Sequence, residues 1–437
     1  MKKRYLASIV SVCLSQVAMA SVINDARSAG SAGVGVASGD YTRSNVNPAL
    51  LTRFQKNDDA YITFGIGLHE DEFINTMDHV DNFQHHIDDF DQTPSLKNAE
   101  HLISDLDELD KKPVNVSLNV DFSTYIPSNT LAIGVSITSE VLVNTKIYID
   151  ENDKKTINDS VKQLRNINTN KSSPYSLQSY KDKISNINLY NDNNFSSSLG
   201  DKLDSMGLVR GAIISEVKLS MANNVTFPHL GSLSVGITPK FQRIDSFLYA
   251  DNLNELNIDM DEIKNSSIAN NGFNFDLGIH KNIGLVQLGF VGKNLISRSI
   301  EASIMVEDKK DKLITETWKL KPTFTAGASI THWGMTLELD VDLIKNKSFV
   351  LERPLIKEDK NDKFMMPRQW ARIGAEIDIF KQIQLRAGYK KDLANNYDDQ
   401  FTAGLGISPF DLITLDIAAQ YSNQDNVSAA LQLGFKF

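Results

Sequence analysis

The chain contains one cysteine, Cys13, three tryptophans, and no run of about 20 apolar residues that could form a transmembrane helix. Cys13 lies within the first 20 residues, so a chain that loses this leader has neither disulfide nor thiol chemistry. Four catalytic signatures are missing: a Walker lysine, a G-x-S-x-G elbow, an H-E-x-x-H helix and a C-x-x-C pair. With no catalytic constellation, the sequence points away from an enzyme and implies no cofactor and no metal centre. Positive charge is also short. The net charge is −10, and it becomes −13 without Lys2, Lys3 and Arg4, which argues against nucleic acid as a partner.

Those three cations open a leader. The apolar stretch YLASIVSVCLSQVAMA follows them and ends in Ala18-Met19-Ala20, a small-x-small cleavage pattern. Residues 1–20 are therefore expected to be a secretory signal peptide, too short in its apolar core to span a bilayer.

What the chain has in quantity is period two. It ends on NVSAALQLGFKF, in which Val427, Ala429, Leu431, Leu433, Phe435 and Phe437 alternate with Ser428, Gln432, Gly434 and Lys436. Such a strand has one oily and one wet face. The same pattern predicts strands over 59–69, 114–126, 130–149, 208–227, 231–249, 272–282, 285–296, 314–332, 335–345, 370–380, 382–390, 400–408, 411–422 and 426–437. The total is fourteen, and bacterial outer-membrane barrels have an even number.

The connections sort into two kinds. Links such as PSN, PHLG, NIG, HWG, KQ and PFD are short, while those near 70–113, 150–207, 250–271, 297–313, 346–369 and 391–399 are long. Short turns at one rim and long loops at the other are the habit of outer-membrane barrels: turns in the periplasm, loops outside. Hydrocarbon does not tolerate an open sheet edge, so the last strand is expected to pair with the first. The expected fold is all-β: a closed antiparallel transmembrane barrel of about fourteen strands. Glu338, Asp340, Glu376, Asp378 and Arg386 then face a polar lumen, and their apolar neighbours face outer-membrane lipid. Trp333 and Trp370 fall at strand ends on opposite rims, where aromatic girdles form, and Trp318 is expected in an extension above the membrane.

Two long loops read as helical. In DEFINTMDHVDNFQHHIDDF, residues Phe73, Met77, Val80, Phe83, Ile87 and Phe90 recur at helical spacing, and Leu102, Leu106 and Leu109 continue the pattern after Pro94. TINDSVKQLRNI and LQSYKDKISNINLY form a weaker second insertion. His79, His85 and His86 sit among aspartates, but their spacing does not suit a metal, and a solvated acidic face is the expectation. GVGVASG, from Gly33 to Gly39, has the composition of a phosphate loop without its strand–loop–helix setting.

The segment before the first strand, Asn24 to Leu51, is rich in Gly and Ala and does not alternate. Small residues allow close backbone packing, and Pro48 restricts Asn47 to an extended shape. Residues 21–58 are expected to enter the barrel of 59–437 as a plug. Ala26-Arg27-Ser28, the run at 33–37 and Asn47-Pro48-Ala49-Leu50-Leu51 resemble the N-terminus of the conjugal transfer TraF-type family of exported proteins. The acidic, Phe-bearing insert and the ending LRAGYKKDLANNYDDQFTAGLGISPFDLITLDIAAQYS…LQLGFKF resemble it as well. The thioredoxin-like proteins that share the name carry C-x-x-C and are excluded.

This resemblance implies distant kinship with FadL-type barrels, which have fourteen strands, an N-terminal plug and a similar Asn-Pro-Ala. It makes Asn47, Pro48 and Ala49 the expected plug motif. It also makes the terminal aromatic Phe437 the expected signal to the barrel assembly machinery. Two functions follow as expectations. One is a structural or interaction barrel working with other conjugation proteins; the other is a FadL-like transporter of hydrophobic small molecules.

Overall fold

The computed structural model describes residues 25–56, 58–71, 73–92, 95–109, 114–169, 203–229, 231–253, 267–305, 313–346, 349–353, 367–422 and 427–437. Fourteen antiparallel strands close into a barrel. In chain order they are β1 (Tyr61–Asp71), β2 (Val114–Ile126), β3 (Ala132–Tyr148), β4 (Met206–Phe227), β5 (Gly231–Asn252), β6 (Ile268–Ile283) and β7 (Val286–Lys293). After an interruption come β10 (Thr323–His332), β11 (Met335–Asp342), β13 (Trp370–Ile379), β14 (Ile383–Asp392), β15 (Gln400–Ile407), β16 (Ile413–Ser422) and β17 (Val427–Lys436). The closure is between β1 and β17, from Tyr61 opposite Lys436 to Glu70 opposite Val427. The Phe437 amide continues it by donating to the Ala60 carbonyl at 2.9 Å.

The alternation has the predicted outcome. In β17, exposed Val427, Leu431 and Phe435 point outward, while buried Ser428 points into the lumen. Phe64, Phe122, Val217, Ile237, Leu337, Ile377, Leu405 and Ile417 belong to the same exposed apolar outer surface. A surface of that size would not be left to water in a monomer and marks contact with lipid.

The sequence reading needs correction between 314 and 332. It is not one strand but two, β9 (Leu313–Leu320) and β10, separated at Lys321-Pro322. Proline supplies no ladder N–H, so the chain leaves one sheet and enters another there. β9 pairs with β8 (Arg298–Met305) and β12 (Val350–Arg353) in a small sheet outside the barrel. Alternation continues across the Lys-Pro junction and hides the change, and β8 and β12 fall in stretches whose sequence reads as long connections. Trp318 does lie in this extension, buried with Ile300, Phe349, Ile244 and Leu248. Beside it, Arg210 of β4 meets Glu316 in a fully buried pair at 2.7 Å.

Strand length decides where these additions sit. A tilted strand of about 9–11 residues crosses a bilayer. β7 and β11 have 8 residues each, whereas β4 and β5 have 22 and rise well past the others at the loop rim. Their tall ends carry helices α2 (Phe73–Gln92), α3 (Leu96–Leu109) and α4 (Glu151–Thr169). Val80, Phe83, Ile87 and Phe90 pack on Leu102, Leu106 and Leu109, and this layer meets Phe247 and Tyr249 of β5. The helical spacing in the first insert therefore describes a cap with its own core. His86 is less solvated than expected: its Nδ1 lies 2.6 Å from Asp105 of α3. The LQSYKDKISNINLY stretch and the leader lie outside the described residues.

At the opposite rim the tight turns display aromatics. Trp333 is 92% exposed, Phe380 90% and Phe410 87%, and Phe437 stands beside them. Trp370, by contrast, does not join a lipid girdle. It is buried and lines the interior, because it shares the inward parity of Arg372 and Glu376.

Candidate functional site

Residues 25–56 run inside the barrel. They begin with a short helix, α1 (Ala26–Gly30), capped by Asp25, and end with a 3-10 turn over Pro48–Thr52. Asn47 initiates that turn in an extended conformation, φ −143°, as a residue before proline should. Its side-chain oxygen accepts from the Ala49 amide, and its Nδ2 donates to the Val36 carbonyl at 2.8 Å and to Ile279 of β6 at 3.2 Å. Asn47 thus joins two parts of the segment to the wall, while Pro48 and Ala49 lie over Gly236 and Gly278.

The glycine-rich run does hold anions, but they are the protein's own. The amides of Gly35 and Val36 donate to Asp340 Oδ2 at 3.0 and 3.2 Å. The next two, Ala37 and Ser38, donate to Glu338 Oε1 at 2.6 and 3.1 Å, and the Ser38 hydroxyl bonds the other oxygen. Successive amides converging on a carboxylate form the kind of concavity that phosphate loops use. Gly35, at φ +146°, supplies a backbone turn that a side chain would hinder; a Cβ there would also collide with Arg43.

Ion pairs complete the attachment. Arg27 grips Glu376 through two bonds, at 2.9 and 2.7 Å, and reaches Asp40 at 3.0 Å. Arg386 bridges Glu376 and Asp416 below it, each at 2.6 Å. Arg43 pairs with Asp25 at 2.7 Å. Burial raises the Asp25 carboxyl, but Arg43 and Arg27 outweigh it and hold the group below the usual carboxylate range. Asp40 is lowered in the same way, burial opposing and Arg27 prevailing. Of the inward charges expected from sequence, Glu338, Asp340, Glu376 and Arg386 all touch the segment or its partners, and Asp378 bonds Gln384 at the turn end.

Above the segment lies a cavity of about 400 Å³. Its wall includes His69, Glu140, Lys218, Lys293, Arg368 and Lys390, with Leu142, Ile214 and Phe324 as an apolar portion. Most of its charges are balanced within the wall. Lys240 bridges Glu216 and Asp276, both at 3.1 Å, and Arg372 holds Asp342 at 2.8 Å. Lys390 donates to Gln420 at 3.0 Å and lies 5.0 Å above the Trp370 ring. Lys293 donates to the Asn45 carbonyl at 2.7 Å. Near α4, Asp150, Asp153 and Asp204 bring carboxylates together; Asp153 is engaged by the Ser205 amide and hydroxyl at 2.6 and 2.5 Å, which ties down the helix start.

Sequence reasoning found the segment and the inward carboxylates. It missed the cavity cations Lys293, Arg368 and Lys390, because three separate stretches bring them together. Parity alone could have flagged Lys390, which shares the inward side with Arg386.

A closed barrel with an apolar exterior, a folded cap and a lumen occupied by the chain's own N-terminal segment defines the outer-membrane barrel class, in the FadL-like form of the fold. The chain belongs to the family described as F plasmid transfer operon, TraF, protein, whose match spans residues 45–342. No curated relative matches it in sequence. Among solved structures it is similar to the Ralstonia pickettii toluene transporter TbuX, with TM-score 0.53 and 10% identity over 94% of this chain and 97% of that one. It is also similar to the Pseudomonas putida toluene transporter TodX, with TM-score 0.50 and 10% identity over 96% of this chain and 100% of that one. The fold resembles outer-membrane transport channels rather than enzymes.

Proposed function

We propose that this chain is exported to the outer membrane and serves plasmid conjugal transfer there as an interaction barrel, with residues 25–56 as a plug and the cap facing outward. The observation that carries the reading is the cap. Helices α2 to α4 and the β8–β9–β12 sheet each have a buried core, built on strands taller than membrane crossing requires. That investment suits a surface that other transfer proteins or a recipient cell would contact, and family membership supplies the context. Deleting the gene from a plasmid-bearing donor should lower mating frequency, and the wild-type gene should restore it. Unaltered mating would overturn the proposal.

A second reading, transport of hydrophobic small molecules, draws on the fold shared with the toluene transporters and on the apolar part of the cavity wall. Its weakness is the charge around that cavity, which an apolar solute would desolvate without compensation. Normal mating with reduced toluene uptake in the deletion strain would favour it.

A further inference from the structure

The wall of the central cavity is uneven in charge. From β13 round to β1 it carries Arg372, Lys390, Gln400, Gln420, Ser428 and His69, one from each successive strand. These residues follow the register: Arg372 stands opposite Lys390, Lys390 opposite Gln400, Gln420 opposite Ser428, and Ser428 opposite His69. Arg368 lines the same stretch of cavity, its backbone fixed by two bonds to Asn346 at 2.8 and 2.7 Å. Arg368 lies within electrostatic reach of both Lys390 and His69. The neutral members of the arc are firmly seated. Gln400, Gln420 and Ser428 are all more than nine-tenths buried, and Ser428 Oγ lies 2.7 Å from His69 Nδ1.

The carboxylates around the cavity are committed to other cations. Asp342 holds Arg372 through two bonds, at 2.8 and 2.9 Å, and also accepts from the Trp370 amide and the Thr325 hydroxyl. Asp25 is taken by Arg43, and Glu216 and Asp276 are taken by Lys240. Glu140 of β3 alone is left, within electrostatic reach of Arg368 but in no ion pair among the described residues. Arg368 and Lys390 likewise have no carboxylate at ion-pair distance among the described residues, and Arg368 makes no side-chain hydrogen bond there. Lys390 spends one of its three N–H donors on Gln420 Oε1, and Gln420 Nε2 in turn donates to the Ala29 carbonyl at 3.4 Å. The guanidinium and the ammonium therefore keep most of their donors for the cavity. Half-buried cations left unpaired are unfavourable, and a surplus of one sign between low-dielectric walls draws in ions of the other. A guanidinium beside an ammonium is a donor set suited to an oxyanion.

We propose that Arg368 and Lys390 form a binding site in the central cavity for a compact multivalent oxyanion of the phosphate type, with His69 and the buried amides of Gln400 and Gln420 beside it. The surroundings favour a compact ion, because the neighbours of both cations along the arc are neutral and polar rather than apolar. The site stands apart from whatever partner the cap meets.

Trp370 lines the site beneath Lys390, 5.0 Å from its ammonium, and serves as the reporter. Inorganic phosphate titrated into the full-length protein in detergent, at constant ionic strength, should change tryptophan emission saturably, and W370F should abolish the change. Chloride should give no saturable change. R368Q and K390Q should each weaken phosphate binding about tenfold, and the double variant should remove it. K381Q, at an exposed lysine of the β13–β14 turn, should match the wild type. In the wild type, phosphate should also slow acetylation of Lys390 and not of Lys381, read by peptide mass spectrometry. That measurement needs no variant and decides the matter where R368Q or K390Q fails to show heat-modifiable mobility. The site is overturned by any of three results: no saturable phosphate binding, no protection of Lys390, or wild-type affinity in folded R368Q and K390Q. Binding confined to anions with an alkyl chain, such as decanoate, would overturn the compact ion.

Discussion

Gly374 and Gly388 face each other across β13 and β14, and both press against the N-terminal segment at Ser31 and Ala32. A Cβ on Gly388 would stand 2.6 Å from the Ala32 amide nitrogen, and one on Gly374 would overlap the Ser31 carbonyl. The wall is bare there so that two backbones can touch.

The double variant G374V/G388V should therefore expel this stretch of the N-terminal segment while the barrel still closes. Overpacking typically costs about 1–3 kcal/mol. Limited proteolysis should cut faster within residues 25–56, with the strands protected; unchanged cleavage would show that the wall yields instead.

Asp25 gives the N-terminal segment a pH dependence. Its folded pKa is depressed by Arg43 and Arg27 against the opposing effect of burial. A depressed carboxyl stabilises above its unfolded value of about 4, and that stabilisation is lost as pH falls through the folded value. The part of the anchoring that Asp25 contributes should be constant from neutral pH down to about 5 and weaken below about 4. Hydrogen exchange at residues 25–43 measured against pH reads this directly, and D25N should flatten the part that Asp25 contributes. A profile identical in D25N and wild type would refute the assignment.

Trp333 adopts φ 49° and is followed by Gly334 at φ 75°, a turn geometry that favours Asn-Gly. Non-glycine residues in this region are disfavoured by about 1–2 kcal/mol. W333N should relax the turn and also remove a rim aromatic. In detergent the melting temperature should hold or rise; in bilayers stability should fall relative to that gain. Equal loss in both media would mean that the ring packs on protein.

Phe437 is 70% exposed, yet its amide closes the β1–β17 seam. Deleting it removes one backbone bond from the folded barrel and, on the proposed assembly role, the terminal aromatic that the machinery reads. Membrane yield should fall well before the stability of the assembled fraction does. Unchanged yield with normal heat-modifiable mobility would dispose of the assembly role.

The strands were legible because lipid imposes a strict parity on each of them. Glu338, Asp340, Glu376 and Arg386 can be placed inward from their neighbours alone, whereas Asn47 stands out only through the resemblance of Asn47-Pro48-Ala49 to the family's motif. The helical inserts were legible for the same kind of reason, a period of three and four. The outer sheet was not, since the alternation of β9 continues across Lys321-Pro322 into β10 with only a proline to mark the join. Trp370 falls at a rim by its position in the strand and turns inward by its parity.

Alternation alone dictates the closed barrel, because an alternating face needs lipid and a sheet in lipid cannot keep an edge. It also determined which charges line the inside. What those charges do is set by the folded ring. Gly35 and Asp340 are 305 positions apart, as are comparable pairs around the lumen, and no local pattern states that one will bond the other. Partnership across a lumen is set by how the ring closes rather than by neighbours in the chain.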